Sequence, residues 1–101
     1  MNESEVVGTL SALAQPVRLQ VLRALVAAGE RGLTPSTMAE GLGVPQNTLS
    51  FHLKELARSG LVSHERASRH IVYRAAGERM DALVGYLVAE CRAAARKKRS
   101  S

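Results

Sequence analysis

The sequence predicts a mainly α-helical fold with one small β-hairpin, and three observations carry that expectation. Apolar residues recur at helical spacing through most of the chain, and proline and glycine signals cut the pattern into short helices. The period switches toward two only between Leu61 and Arg74. The 101 residues make one domain at most, and 46% apolar content is enough for its core. That content, with 23% charged residues, excludes global disorder. With no Trp, one Phe and two Tyr, the core must be aliphatic.

Val6, Val7, Leu10 and Leu13 mark a first helix ending near Gln15-Pro16, because a residue before proline avoids helical backbone. Pro16 suits the first turn of a second helix carrying Val17, Val21, Leu22, Leu25 and Val26, with Gly29 as its C-terminal cap. Thr34-Pro35 starts a third helix, since Thr34 can accept orphan amides while Pro35 takes the first helical position. That helix holds Met38 and Ala39 and breaks at Gly41-Leu42-Gly43. A fourth runs from about Pro45–Asn47 to Ser59, with Leu49, Leu53 and Leu56 inward and Gly60 at its end. Two short helices joined by a glycine turn form a helix-turn-helix.

Leu61 to Arg66 and Arg69 to Arg74 read as strands, with Ala67-Ser68 as the turn and Ile71 and Tyr73 sharing a face. A last helix spans about Gly77 to Arg96, with Met80, Leu83, Val84, Leu87, Val88 and Cys91 as its apolar stripe. The order is that of a winged helix-turn-helix with an extra helix at each end. Residues 1–95 read as the domain, and 96–101 as a basic tail expected to be disordered.

The net charge of +5 suggests a polyanionic partner, but Arg96, Lys97, Lys98 and Arg99 supply most of it. Local motifs must therefore decide. No apolar run is long enough for a membrane span, and the start MNESEVVGTL lacks the features of a signal peptide. With Cys91 the single cysteine, the expected location is cytoplasmic. No phosphate loop, nucleophile elbow or zinc-hydrolase spacing occurs, so no enzyme is expected.

The run LAQPVRLQVLRAL (Leu13 to Leu25), then TLSFHLKELARSGLV (Thr48 to Val62) and RHIVYR (Arg69 to Arg74), resembles the ArsR/SmtB family of bacterial repressors. The resemblance covers about residues 4 to 92. It implies a homodimer built from the first and last helices, repressing its own operon until an inducer releases double-stranded operator DNA. The stripe on the last helix supports self-association independently, because so small a domain has little else to cover it. Val6, Leu10, Leu13, Met80, Leu83, Val84, Leu87 and Cys91 are the candidate dimer residues; the alternative is that the helix folds back on its own core.

With the leucines of the fourth helix inward, Gln46, Asn47, Thr48, Ser50, Phe51 and Lys54 lie around the rest of it. A recognition helix presents its N-terminal residues to base edges. The amides of Gln46 and Asn47 suit adenine, Thr48 and Ser50 suit base or phosphate, and Phe51 suits a thymine methyl. His52 falls on the inward side and reads as a packed or hydrogen-bonded histidine. Arg58 serves either the last carbonyls of the helix or a phosphate. In the hairpin, Arg66, Ser68, Arg69 and His70 surround the turn, where basic side chains meet phosphates or a minor groove; the alternative is a solvated basic hairpin. His64 and His70 facing each other would make only a poor metal site.

The inducer is less legible. Metal-sensing relatives carry cysteines in the third helix, whereas TPSTMAEGL (Thr34 to Leu42) has neither Cys nor His. Zinc-sensing relatives use Asp and His along the last helix, which here has Glu78, Asp81 and Glu90 but no histidine. LVAEC (Leu87 to Cys91) resembles an arsenic-responsive branch with adjacent cysteines, but Arg92 stands where the second thiol would be. Soft trivalent arsenic or antimony prefers thiolates, so Cys91 is the candidate arsenical or redox site. It is equally read as a small buried apolar residue continuing the stripe. An organic ligand or partner protein as signal, or a winged-helix protein-interaction module, is the alternative.

Overall fold

The computed structural model describes the backbone of residues 1–100 and the side chains of residues 1–97. Five helices and one hairpin follow in order: α1 (Glu3–Leu13), α2 (Pro16–Ala28), a 3-10 turn (Gly29–Arg31), α3 (Pro35–Leu42), α4 (Gln46–Arg58), β1 (Val62–Ala67), β2 (His70–Ala75) and α5 (Gly77–Ser100).

Each start has a local cause. Asn2 and Glu5 form a capping box at α1, the side chain of Gln15 accepts from the Arg18 amide at α2, and that of Thr34 accepts from the Thr37 amide at α3. Pro16 and Pro35 occupy first-turn positions, where the missing N–H costs nothing. Gly43 closes α3 in the left-handed region at φ 65°, and its N–H bonds back to Ala39 and Glu40. That tight reversal sets the start of α4 against α3.

The core joins Val21, Leu22 and Leu25 of α2, Met38 and Ala39 of α3, Leu49, Leu53 and Leu56 of α4, and Leu61 and Val62 at the hairpin base. It is aliphatic, as the composition requires. In α1 the buried face is Val6, Thr9 and Ala12, and Thr9 satisfies its hydroxyl by donating to the Glu5 carbonyl at 2.7 Å. Val7 and Leu10, which share the helical spacing, are exposed in the single chain. Small side chains bring α1 close to its neighbours, and the larger ones are left outside.

The strands pair antiparallel with Ala67 opposite His70, so the turn is Ser68-Arg69, one residue later than expected. Ser68 takes a positive φ of 60°, a conformation that non-glycine residues rarely adopt. His64 lies opposite Tyr73 and His70 opposite Ala67, so the two histidines do not face each other. A third backbone segment joins the hairpin: Leu33 and Tyr73 exchange both backbone hydrogen bonds, at 3.0 and 2.9 Å. Gly32 permits this approach, since a Cβ there would sit 2.6 Å from the Tyr73 carbonyl oxygen.

Arg79 ties the start of α5 down by donating to Glu5 Oε2 at 2.9 Å and to the Ser59 carbonyl at 3.1 Å. Leu83 is buried, but beyond it Val84, Leu87 and Val88 are exposed. At 24 residues, α5 is about 36 Å long, and it contributes to a molecular length of 59 Å against a width of 23 Å. Residues 96–100, expected as a tail, continue α5, while Ser101 lies outside the described residues. Among the described residues no helix is long and apolar enough to cross a membrane.

Candidate nucleic-acid interface

α4 divides cleanly. Leu49, His52, Leu53 and Leu56 are buried, whereas Gln46, Asn47, Thr48, Ser50, Phe51 and Lys54 are all exposed. The first turn has no side-chain cap, because Pro45 occupies the cap position. Asn47 accepts from the Thr48 amide through Oδ1 at 2.9 Å. In this state its NH2 is the free half of the carboxamide, so paired recognition of adenine requires that oxygen to leave the backbone.

His52 is the structural histidine that its position suggests. It is 8% exposed, and its Nδ1 accepts from Arg18 Nε at 3.0 Å. Burial, reinforced by the Arg18 charge, holds its pKa below the ordinary histidine value. Arg18 also donates to the Ala12 carbonyl at the end of α1, and its guanidinium lies 5.7 Å from the centre of the Phe51 ring. Phe51 meets His52 edge to face, with ring centres 5.7 Å apart. Half of Phe51 remains exposed, so it belongs both to the outer face of α4 and to this stack. Nothing in the sequence pattern marked Arg18, which sits one turn into a helix whose neighbours are aliphatic.

Arg66, Ser68, Arg69 and His70 are exposed around the hairpin turn. At its base Arg74 donates to Glu65 and to the Glu30 carbonyl, both at 2.6 Å, pinning the hairpin to the 3-10 turn. Some of the arginines are neutralised by carboxylates. Arg58 pairs with Glu55, Arg74 with Glu65 and Arg79 with Glu5. Arg58 therefore does not cap the end of its helix. Lys54, Arg66 and Arg69 carry no ion pair among the described residues, so their charge faces solvent.

The candidate dimer residues also divide. Val6 and Leu83 are buried within the protomer, and Leu13 and Met80 are partly buried against its core. Leu10, Val84, Leu87 and Cys91 are uncovered, as are Val7 and Val88. Cys91 continues the exposed part of the α5 stripe and is itself exposed in the single chain. No group of three or more His, Cys, Asp or Glu able to hold a metal occurs among the described residues.

A glycine-turned helix pair with a polar, outward-facing second helix and a basic hairpin beside it is a winged helix-turn-helix. Residues 13–65 match the helix-turn-helix domain model HTH_20. The chain is 42% identical over 71 residues to the HTH-type transcriptional regulator NmtR of Mycobacterium tuberculosis, covering 69% of this chain and 56% of that protein. Its fold superposes on an ArsR-like transcriptional regulator from Rhodococcus sp. RHA1 with a TM-score of 0.86 and 26% identity, over 96% of this chain and 89% of that one. It also superposes on the homodimeric winged helix-turn-helix DNA-binding domain of a "possible ArsR-family transcriptional regulator" of Mycobacterium bovis. There the TM-score is 0.70 and the identity 32%, over 86% and 81% of the two chains. This chain belongs to the ArsR/SmtB family of transcriptional regulators. It spans 53% to 63% of the length of the curated relatives it matches.

Proposed function

We propose that the protein is a homodimeric repressor that binds double-stranded operator DNA upstream of its own gene and leaves it when an inducer binds. The observation that carries this reading is the division of α4: a buried leucine ridge holds one face rigid while Gln46, Asn47, Thr48, Ser50, Phe51 and Lys54 stand exposed on the other. Two such helices related by a dimer axis enter successive major grooves about one helical turn apart. Arg66, Ser68, Arg69 and His70 of each hairpin then meet the flanking backbone or minor groove. The uncovered stripe of Leu10, Val84 and Leu87 supports the dimer.

Cys91 is the residue on which a trivalent arsenical or antimonial, or thiol oxidation, acts in this reading. Its thiol is exposed in the protomer, and a dimer supplies two. The test is fluorescence anisotropy of reduced protein on its own upstream duplex, with arsenite, antimonite, phenylarsenite and a disulfide-forming oxidant titrated in. Release in the parent but not in Cys91→Ser assigns the signal to the thiol; tight binding that ignores every compound removes Cys91 from sensing. Gln46→Ala or Asn47→Ala should weaken the operator complex about tenfold more than a scrambled duplex. Equal losses on both duplexes reject their role in base reading.

A further inference from the structure

The stack behind α4 joins three parts of the molecule through one guanidinium. Arg18 belongs to α2, donates to the carbonyl of Ala12 near the end of α1, donates to His52 on the buried face of α4, and lies over Phe51 on its exposed face. Only Nδ1 of a neutral imidazole has a lone pair for the Arg18 Nε–H, so the ring proton must reside on Nε2. A protonated ring has no acceptor and adds a second positive charge 3.0 Å from the first. Burial makes that charge harder still to accommodate.

We propose that Arg18 is a positioning residue for the exposed face of α4: through neutral His52 and the Phe51 ring it registers that face against α1, and protonation of His52 undoes the registration. The proposal rests on reading α4 as the helix that enters DNA. It deepens that reading by making the posture of Phe51, one turn beyond Asn47, depend on a residue that touches no base.

The other charged groups around the stack do not replace it. Lys54, Glu55 and Arg58 share α4, and Glu55 is paired with Arg58. Glu5 of α1 and Arg79 of α5 line the same cleft of about 430 Å³ as Arg18, but they are paired with each other. The one charged residue of α3, Glu40, is exposed, as are His64, Glu65 and Arg66 of β1. Arg18 is thus the charged partner that His52 meets directly.

The sign follows. Acidification should weaken DNA binding through this joint, because the protonated ring repels Arg18. The informative quantity is therefore the difference between the parent and a chain that cannot titrate at position 52. Glutamine keeps a side-chain oxygen as acceptor and carries no proton in this range.

The test is anisotropy on the upstream duplex at fixed ionic strength from pH 7.5 to 5.5, using the parent, His52→Gln and Arg18→Met. Arg18→Met keeps the aliphatic stem and removes donor and charge. His52→Gln should bind within about threefold of the parent at pH 7.5, and the ratio of the two affinities should move about threefold in its favour by pH 5.5. Arg18→Met should bind about tenfold more weakly than the parent at pH 7.5 and show no acid-dependent gap. Parallel pH profiles for the parent and His52→Gln, or unchanged affinity in folded Arg18→Met, overturn the proposal. Ring proton NMR of His52 without DNA judges the joint separately. The His52 midpoint should rise in Arg18→Met, and an unchanged midpoint overturns the pairing. If no chain binds any duplex while that midpoint does rise, the DNA reading has failed and the pairing of Arg18 with His52 stands.

Discussion

α4 and α5 are both amphipathic helices, yet their apolar stripes meet opposite fates. The leucines of α4 are buried by α2, α3 and the hairpin base within the same chain. Among the described side chains of α5 only Leu83 is buried, while Val84, Leu87 and Val88 remain in the open. The contrast is not one of composition, since both helices carry aliphatic residues at similar intervals. α4 is enclosed because its neighbours in sequence fold around it. α5 is longer than the domain is wide, so most of its stripe outruns the surface its own chain offers. A helix of the first kind serves the stability of one protomer; a helix of the second kind leaves an apolar stripe that a second chain would cover.

The largest effect that separates them is on assembly. Leu87→Glu should leave a folded, helical monomer by sedimentation velocity, with the dimer dissociation constant raised roughly a thousandfold for two uncovered leucines at about 2 kcal/mol each. A Leu87→Glu chain that stays dimeric at micromolar concentration would place the interface elsewhere. Leu53→Ala should do the converse. Removing a fully enclosed α4 leucine should cost about 3 kcal/mol in urea unfolding, with the association of the remaining folded protein unchanged. A loss below about 1 kcal/mol would mean the α4 ridge is not the packed core it forms in this fold. The smallest effect lies outside both stripes. Arg69→Ala should leave dimer and stability intact and lower the salt slope of DNA binding by about one. An unchanged slope removes Arg69 from the phosphate contacts.

Much of this was legible beforehand because the signals are local. Thr34-Pro35, Gly43 and the Leu49, Leu53 and Leu56 ridge each act within a turn or two of chain, so spacing alone places them. The outward set on α4 follows from the same ridge by elimination. The hairpin turn fell one residue from its expected place because Ala67-Ser68-Arg69 lacks a strong turn pair, and register depends on which backbone groups bond across the strands. The Leu33–Tyr73 pair left no periodic trace, being a single bridge between segments forty residues apart. The inner face of α1 was not legible for a related reason. Apolar spacing favours Leu10, whereas close packing chose Thr9 and Ala12.

The amino-acid order by itself determined the helices, their caps, the helix-turn-helix and the basic hairpin, because capping, glycine conformation and periodic burial act over a few residues. Tertiary structure alone decided which stripe is enclosed and which stands open. It also decided which arginines are neutralised by carboxylates, and that Arg18 meets both His52 and Phe51. Those outcomes depend on distances between segments far apart in the chain, and a spacing rule carries no information about such distances until the core has brought the segments together.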